Sequence, residues 1–583
     1  MKQPNNNEFS RRDFVKLSGS AAFAGATGFG LPGIENAHAL DSGRYNILMI
    51  VTDQERYMPP GELPIGFRLP GHEKLAARGT VFENHQVGSC VCTPSRAVIY
   101  TGQHIQNNKM FDNTNFPWSN DLSTDIPTVG DMLRDLGYYT AYKGKWHLTG
   151  EFETANDLHM PTRILSTEME EYGFSDYFGI GDMIAHTEGG YLHDGVITAM
   201  TTSWLRGKAM NLNTKNTPWF MAVNLVNPHD VMYYNTDLAG GPVEQGSTAL
   251  MRLNHGPDTQ QFSRQWDMKL PPSHSQSLSE PGRPAAHHDY IMARAGLVGR
   301  VPNEEARWQR LNDYYLNCIQ TVDQHVLAIV NELEDLGMAD NTIIIYTADH
   351  GELAGAHGLN GKGATAYREQ LNVPFIVSHP KYAGEKRCKA VTSHLDIATT
   401  LVSLAGGKTD LPGSDISTVL ENPEAAAVDA IRPGALYNYN MLAYLDGDFL
   451  MNVSKFLREG GKPAELADQG FRPNLKKRGA IRSVYDGRYK LNRYFSPQEH
   501  HIPRSIEELL ANNDVELFDL VDDPYEMNNL ATDSRRNGDL LVAMSEKLNI
   551  LIEAEVGEDI GQMMPSGDNA NWKLDPSLSH LRM

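Results

Sequence analysis

Three short apolar runs, each followed within a few residues by polar side chains, constrain the fold of this chain more than any other feature. They occupy residues 46–51, 219–225 and 342–346. Each run has the length of one strand and lacks alternation between apolar and polar residues, which is the pattern of strands buried on both faces. Between the last two runs, apolar residues recur every three, four or seven positions from Trp308 to Leu333, as on one face of a helix. Strands that alternate with helices predict an α/β fold with a mostly parallel sheet.

The polar residues that end these runs are aspartates and histidines. Asp53 follows the first run, His229 follows the second, and Asp349 and His350 follow the third. The carboxyl ends of parallel strands meet at one edge of a sheet, where functional groups of α/β proteins collect. The sequence therefore predicts a functional site at this edge.

The rest of the chain is predicted to add a leader and a second, smaller region. We expect a signal peptide over residues 1–39, a catalytic α/β domain over 40–430 and a smaller α+β subdomain over 431–583. Beyond about residue 430 the alternation stops, and residues 480–484 and 489–494 are typical of a hairpin. Residues 239–290 are polar, rich in Gly, Pro, Ser and His, and without periodicity, so we expect a long irregular excursion there.

The N-terminus resembles a bacterial twin-arginine signal. Arg11 and Arg12 precede a Gly- and Ala-rich, mildly apolar stretch that reaches about Leu31, and Ala37-His38-Ala39 offers a cleavage site. The stretch is too polar and too interrupted for a stable membrane span. The pattern predicts export by the twin-arginine translocase to the periplasm or the exterior.

The charge balance argues against one class of partner. Fifty-one Lys and Arg residues face 73 Asp and Glu residues, which gives a formal charge of −22. Such a chain does not hold nucleic acid or an anionic membrane by bulk electrostatics. Any anionic substrate must therefore be bound by local positive groups.

The cysteines are few. Cys90, Cys92, Cys318 and Cys388 have no Cys-x-x-Cys spacing and are too sparse for a disulfide scaffold. We expect Cys318 and Cys388 to be buried thiols, and a disulfide between them is the alternative.

One of these cysteines begins the most specific motif of the chain, Cys92-Thr93-Pro94-Ser95-Arg96, with Thr101-Gly102 downstream. The other elements are Asp53-Gln54, Gly144-Lys145-Trp146-His147, Pro228-His229, Asp349-His350-Gly351-Glu352, Lys362 and Leu517-Phe518-Asp519-Leu520. In these elements and their order the chain resembles the sulfatase family of the alkaline-phosphatase superfamily. The resemblance implies an alkaline-phosphatase-like α/β sheet flanked by helices, and the hydrolysis of sulfate monoesters to an alcohol and sulfate.

The resemblance also implies that Cys92 is not used as a thiol. In the family this cysteine is oxidised to formylglycine (3-oxoalanine) by a formylglycine-generating enzyme, and the aldehyde hydrates to a geminal diol. One diol hydroxyl attacks sulfur and forms a covalent sulfate ester. The second hydroxyl, once deprotonated, allows sulfate to leave, which a serine in the same place could not do.

The other motif residues receive roles by the same resemblance. Lys145 and Lys362 would hold the sulfate oxygens, and Arg96 would fix the diol. His229 would stabilise or protonate the leaving oxygen, a role that Lys362 could share, and His147 would take the proton of the second hydroxyl.

Asp53, Gln54, Asp349 and His350 are the implied ligands of one divalent cation, together with the group derived from Cys92. Gln54 and His350 stand where the commonest arylsulfatase pattern has Asp and Asn. Ca²⁺ is the expected ion, and the imidazole makes Mn²⁺ the alternative. Gln54 could instead support the ligands by hydrogen bonds.

Some features also resemble choline sulfatases and phosphonate monoester hydrolases. The segment Met110-Phe111-Asp112-Asn113 makes Asn113 a candidate substrate contact, whereas Lys145 and His147 favour sulfate over phosphonate esters. Hydrolysis of phosphonate monoesters or phosphodiesters is the alternative activity, and an inactive binding homologue is a third possibility. The alcohol part of the substrate stays open between aryl sulfates, small alkyl sulfates and sulfated sugars.

Overall fold

The computed structural model describes residues 43–116, 118–150, 162–163, 168–466, 468–500 and 502–561. The predicted signal peptide lies outside these residues. Among the helices that are described, none is long and apolar enough to cross a membrane.

Within the described residues, the larger of two sheets has nine strands. They are β1 (Asn46–Asp53), β2 (Thr80–Gln86), β3 (Tyr139–Lys145), β4 (Thr162–Arg163), β5 (Asp176–Ile180), β6 (Trp219–Pro228), β7 (Thr342–Ala348), β8 (Phe375–Ser378) and β9 (Lys386–Ser393). Their order is β4-β5-β3-β6-β1-β7-β8-β2-β9, and only β4 and β8 run against the others. The prediction of a mostly parallel sheet is confirmed.

The three apolar runs of the sequence form neighbouring strands at the centre of this sheet. β1 pairs with β6 on one side and with β7 on the other. Ile47 and Met49 of β1 face one hydrophobic core, and Leu48 and Ile50 face the core on the other side of the sheet. Burial on both faces explains why these runs are mainly apolar and show no alternation.

Helices cover both faces of the sheet. The helices of this part of the chain are α1 (Pro70–Arg78), α2 (Cys92–Thr101), α3 (Ile105–Asn108), α4 (Val129–Asp135), α5 (Gly189–Trp204), α6 (Met210–Thr214), α7 (Ala285–Val298), α8 (Glu305–Asp335), α9 (Arg368–Leu371) and α10 (Leu395–Leu404). A π-helical turn, Leu205–Ala209, joins α5 to α6. Helix α8 buries the residues of the predicted apolar face. The predicted excursion of residues 239–290 ends earlier than expected, because α7 begins at Ala285.

A smaller antiparallel sheet follows. Its strands, in spatial as well as chain order, are β10 (Ala435–Tyr439), β11 (Ala480–Tyr485), β12 (Tyr489–Phe495) and β13 (Asp514–Asp519). The predicted hairpin is β11 and β12, which pair antiparallel. Helices α11 (Gly447–Arg458), α12 (Ile506–Asn512) and α13 (Ser534–Glu555) accompany this sheet. The smaller C-terminal subdomain is therefore present, and the boundary at residue 430 stays a prediction.

The four cysteines are buried and free. Cys318 lies in α8 and Cys388 in β9, and they form no disulfide. The expectation of two buried thiols is confirmed.

Candidate active site

The carboxyl ends of four adjacent parallel strands bring the predicted site residues to one edge of the large sheet. β1 ends at Asp53 and β3 at Lys145, while His229 directly follows β6 and Asp349 directly follows β7. Since these strands lie side by side in the order β3-β6-β1-β7, side chains that are far apart in the sequence become neighbours.

Cys92 lies at the centre of this edge, in the first turn of α2. Its buried Sγ accepts a hydrogen bond from Lys362 Nζ at 3.1 Å and lies 3.2 Å from His350 Nε2 and 3.7 Å from Asp53 Oδ1. Burial and the nearby Asp53 carboxylate raise the pKa of Cys92 to about 12. The unmodified side chain is thus a protonated thiol at neutral pH and a poor nucleophile.

Four buried side chains around this point could hold a metal ion. One ligand atom from each of Asp53, Cys92, Asp349 and His350 lies within 4.8 Å of all the others. His350 Nδ1 lies 3.1 Å from the carbonyl oxygen of Gly351, so a proton on Nδ1 leaves the Nε2 lone pair facing the cluster. Burial and Lys362 hold the pKa of His350 well below its ordinary value, so the ring is a neutral potential ligand.

The two carboxylates of this group are strongly coupled. Burial and the neighbouring Asp53 raise the pKa of Asp349 to about 7. Burial also opposes ionisation of Asp53, but Lys145 and the other cations around it hold its pKa well below the ordinary value. Two adjacent carboxylates and a neutral imidazole are a donor set that fits a divalent cation.

Gln54 borders this group. Its side-chain oxygen accepts a hydrogen bond from Lys362 Nζ at 2.6 Å, and its amide nitrogen donates to Glu352 Oε2 at 2.5 Å. The backbone N–H of Gln54 donates to Asp349 Oδ1 at 3.0 Å. Gln54 therefore links the candidate ligands to the loop that carries Lys362.

Arg96 is buried and joins both carboxylates of the cluster. Its Nε donates to Asp349 Oδ2 at 2.9 Å and an Nη2 proton to Asp53 Oδ2 at 3.1 Å. Nη1 donates to the Lys145 carbonyl oxygen and to Asn224 Oδ1. These contacts hold the carboxylates of β1 and β7 at a fixed separation.

Lys145 and the two predicted catalytic histidines surround a residue that the sequence did not suggest, Asp182. Lys145 Nζ lies 2.8 Å from Asp53 Oδ2 and 2.5 Å from Asp182 Oδ1. The Nε2 atoms of His147 and His229 each lie 3.7 Å from an Asp182 oxygen. A carboxylate therefore stands among the groups expected to bind an anion.

Both histidines are neutral in this environment. Burial lowers the pKa of His147 to about 3. Asp182 acts to raise this pKa and Lys145 acts to lower it. Burial and the cations Lys145 and Lys362 lower the pKa of His229 to about 3. At neutral pH each ring can accept a proton.

Two asparagines complete the site. Asn113 Oδ1 accepts the backbone N–H of Thr93 at 3.1 Å, beside Cys92, and Asn113 lines the cleft above it. Asn115, which sequence reasoning missed, contacts His147 Nε2 through its Oδ1 at 2.7 Å. Asp182 could have been suspected because it follows β5, but that five-residue strand carries no clear apolar signal.

The cleft above Cys92 is mostly apolar beyond these groups. Its walls come from separate segments of the chain and include Phe116, Ile184, Met251, Leu297, Met441 and Tyr444. Met251 belongs to the irregular excursion and the last two to the C-terminal region. Besides Cys92, the polar residues that line the cleft are Asn113, Asn115, Asp182, His229 and Lys362, and the rest of the lining offers mainly hydrocarbon and aromatic surface.

The chain is similar in sequence to known sulfatases. A family model described as Sulfatase matches residues 46–407. The uncharacterized sulfatase YidJ of Escherichia coli is 28% identical over 368 residues, which cover 60% of this chain and 65% of that protein.

Solved structures show the same fold. A 2-O GAG sulfatase has a TM-score of 0.61 and 19% identity, with 88% of this chain and 92% of that chain covered. A phosphonate monoester hydrolase from Silicibacter pomeroyi has a TM-score of 0.58 and 17% identity, with 88% and 96% covered.

Proposed function

Because the chain belongs to the sulfatase family, we propose that Cys92, converted to formylglycine, is the centre at which it hydrolyses sulfate monoesters. By family the chain is a sulfuric ester hydrolase. One observation carries the proposal: Cys92 lies at the start of α2, buried between Lys362, His350 and the Asp53 carboxylate. Its thiol is a poor nucleophile there, which is consistent with a modified side chain.

Hydrated formylglycine would supply two hydroxyl groups, one for attack on sulfur and one whose deprotonation lets sulfate leave. Lys362, which contacts Cys92, and Lys145, which contacts the neighbouring Asp53, would bind the oxygens of an ester held over residue 92. Arg96 acts on this centre by holding Asp53 and Asp349 in place rather than by touching Cys92.

Proton transfer divides between the histidines and Lys362. His147, neutral because its pKa is lowered to about 3 by burial, can accept the proton of the second hydroxyl. His229 is neutral for the same reason, so before substrate binds it is not the imidazolium that a general acid requires. The one N–H of the neutral ring serves as a hydrogen-bond donor to the leaving oxygen. Despite burial, Cys92 and Asp53 keep the pKa of Lys362 above its ordinary value, so Lys362 carries a proton at the leaving group.

Asp53, Asp349 and His350 would hold a divalent cation with residue 92, and Gln54 either joins them or supports them. Ca²⁺ is the proposed ion and Mn²⁺ the alternative. Such a cation would polarise the sulfate ester and favour the deprotonated nucleophile.

Removing this cation should lower both activity and thermal stability. Chelator-treated protein should lose turnover and melt at a lower temperature because Asp53 and Asp349 then repel each other in a buried site. Restoring Ca²⁺ or Mn²⁺ should recover both properties. The measurements are metal content, melting temperature and sulfate release, for the wild type and Asp349→Asn. A metal content that Asp349→Asn leaves unchanged would place the ion elsewhere.

The apolar lining of the cleft favours a substrate whose leaving group is an apolar alcohol. Aromatic and aliphatic side chains such as Phe116, Met251 and Tyr444 offer few hydrogen bonds to the hydroxyls of a sugar. Each hydroxyl left unpaired costs about 1–3 kcal/mol, so two should lower kcat/KM by about 30-fold or more.

We therefore expect p-nitrophenyl sulfate and hexyl sulfate to be better substrates than glucosamine 6-sulfate. Steady-state kcat/KM for the three esters measures this preference. Phe116→Ala, which removes one wall, should reduce efficiency toward the aryl ester by about tenfold and leave the sugar ester nearly unchanged. A sugar ester that is turned over best would refute the apolar assignment.

The alternative activity is phosphonate monoester or phosphodiester hydrolysis, since phosphonate monoester hydrolases share the fold. Lys145 and His147 at the site favour sulfate, because the resemblance implies that phosphonate monoester hydrolases do not keep this Lys-x-His pair. Comparing the turnover of p-nitrophenyl sulfate, p-nitrophenyl phenylphosphonate and bis(p-nitrophenyl) phosphate separates the two activities. A preference for either phosphorus ester would reverse the assignment.

The proposal requires two partners and a compartment. A formylglycine-generating enzyme would modify Cys92, and the twin-arginine translocase would carry the folded, modified protein to the periplasm or beyond. Replacing Arg11 and Arg12 by lysine should retain the protein in the cytoplasm, which fractionation of the native host measures.

A further inference from the structure

Asp182 is the residue of the cleft that an anion-binding site would least be expected to contain. It lies two residues beyond β5, is buried, and lines the cleft with Cys92. Its oxygens lie 2.5 Å from Lys145 Nζ and 3.7 Å from the Nε2 atoms of His147 and His229. These are the groups proposed to face the sulfate.

Asp182 is ionised. Burial opposes its charge, but Lys145, His147 and His229 keep its pKa below the ordinary value. Lys145 is therefore shared between two carboxylates, Asp182 and Asp53, rather than left free for the substrate.

The buried charges around Cys92 are consequently closely balanced. Within the described part of the chain, the buried ion pairs around Cys92 join the cations Arg96, Lys145 and Lys362 to the carboxylates Asp53, Asp182 and Asp349, and a further buried carboxylate, Glu352, contacts Gln54 beside them. A bound divalent cation would add the same positive charge whichever side chain stands at position 182. Asp182 thus removes one unit of positive charge from a pocket that would otherwise be more cationic.

This balance matters for choosing between esters of similar shape. A sulfate monoester and a phosphodiester each carry one negative charge, whereas a phosphate monoester above about pH 7 carries nearly two. A carboxylate within a few ångströms penalises the second charge, because a buried pair of like charges is only weakly screened.

We propose that Asp182 is a specificity-determining residue that matches the pocket to monoanionic esters and disfavours dianionic phosphate monoesters. This inference rests on the proposed placement of the ester over residue 92. It differs from a positioning role for Asp182, in which Lys145 would be misplaced and all esters would suffer alike.

The test compares the wild type, Asp182→Asn and Asp182→Glu at about pH 8, where the phosphate monoester is a dianion. The substrates are p-nitrophenyl sulfate, p-nitrophenyl phosphate and bis(p-nitrophenyl) phosphate. Each rate is normalised to the formylglycine content measured by mass spectrometry. In Asp182→Asn, the ratio of kcat/KM for the phosphate monoester to that for the sulfate should rise by about tenfold or more.

The monoanionic diester and the charge-conserving variant are the controls. In Asp182→Asn the ratio of diester to sulfate should stay within about twofold of the wild type, and Asp182→Glu should keep the wild-type ratio of phosphate monoester to sulfate. Equal changes for all three esters, or the same shift in Asp182→Glu, would overturn the proposal.

The wild-type protein alone provides a further test. It should hydrolyse the monoanionic diester with a higher kcat/KM than the dianionic monoester, and the reverse order would also overturn the proposal. Failure of the proposed function looks different: fully modified wild-type protein would then release no sulfate. Asp182→Ser removes the same charge and is the substitute if Asp182→Asn does not fold.

Discussion

Replacing Cys92 by alanine should lower sulfate-ester turnover by about 10⁴-fold or more, because the variant lacks any group that can attack sulfur. Cys92→Ser should stop at a single event. Its hydroxyl, placed beside Lys362 and the Asp53 carboxylate, can accept the sulfuryl group but has no second hydroxyl with which to release it. Intact-protein mass spectrometry after incubation with p-nitrophenyl sulfate should therefore detect one sulfated serine per chain and no further product.

Cys90 provides the matched control. It is also a buried free thiol, only two residues away, and it is absent from the group of candidate metal ligands. Cys90→Ala should retain turnover within about tenfold of the wild type, since it alters only packing. If Cys90→Ala were as inactive as Cys92→Ala, or if Cys92→Ser turned over repeatedly, the role of residue 92 as the source of two hydroxyls would be refuted.

Arg96→Met should destabilise the fold by about 3–5 kcal/mol and abolish activity, because it leaves two buried carboxylates without their shared cation. The pKa of Asp349 is already raised to about 7 by burial and by Asp53, so loss of the guanidinium should favour its protonated form further. Chemical denaturation in the presence of a chelator measures the change in unfolding free energy without compensation by a bound cation.

Two further variants distinguish the loss of the Arg96 ion pairs from a general loss of fold stability. Arg96→Met with Asp349→Asn should regain part of the lost stability, since the remaining Asp53 still pairs with Lys145 at 2.8 Å. Arg432, which pairs with Asp396 and Glu555 outside the residues assigned to the cleft, offers a matched buried ion pair. Arg432→Met should cost comparable stability but keep kcat, and a loss of kcat as large as that in Arg96→Met would contradict a specific role for Arg96.

The central part of the fold can be predicted from the sequence because strands that are buried on both faces consist mainly of apolar residues. β1, β6 and β7 are apolar over most of their length, and polar residues stand at or just beyond their carboxyl ends. Their adjacency at the centre of the sheet then brings Asp53, His229 and Asp349 together. Sequence pattern alone does not give the strand order, which depends on packing between segments far apart in the chain.

The residues that sequence reasoning missed share a different property. Asp182 follows a short strand near the sheet margin, and Asn115 lies in an irregular segment, so neither sits in a periodic pattern. Their importance arises only from distances to Lys145 and His147. The apolar cleft was equally hidden, since its walls combine the excursion, α7 and the C-terminal region.

The role of Arg96 shows the same limit. In the structure its guanidinium donates hydrogen bonds to the Asp53 and Asp349 carboxylates. Its expected role in fixing the diol stays a prediction. The sequence motif identifies the residue but not the side chains that it contacts.

Mass spectrometry of the Cys92 peptide, from protein purified out of its native host and active on a sulfate ester, shows whether residue 92 is the precursor of the nucleophile. We expect a peptide whose residue 92 is formylglycine. An active protein in which residue 92 is an unmodified cysteine would contradict it.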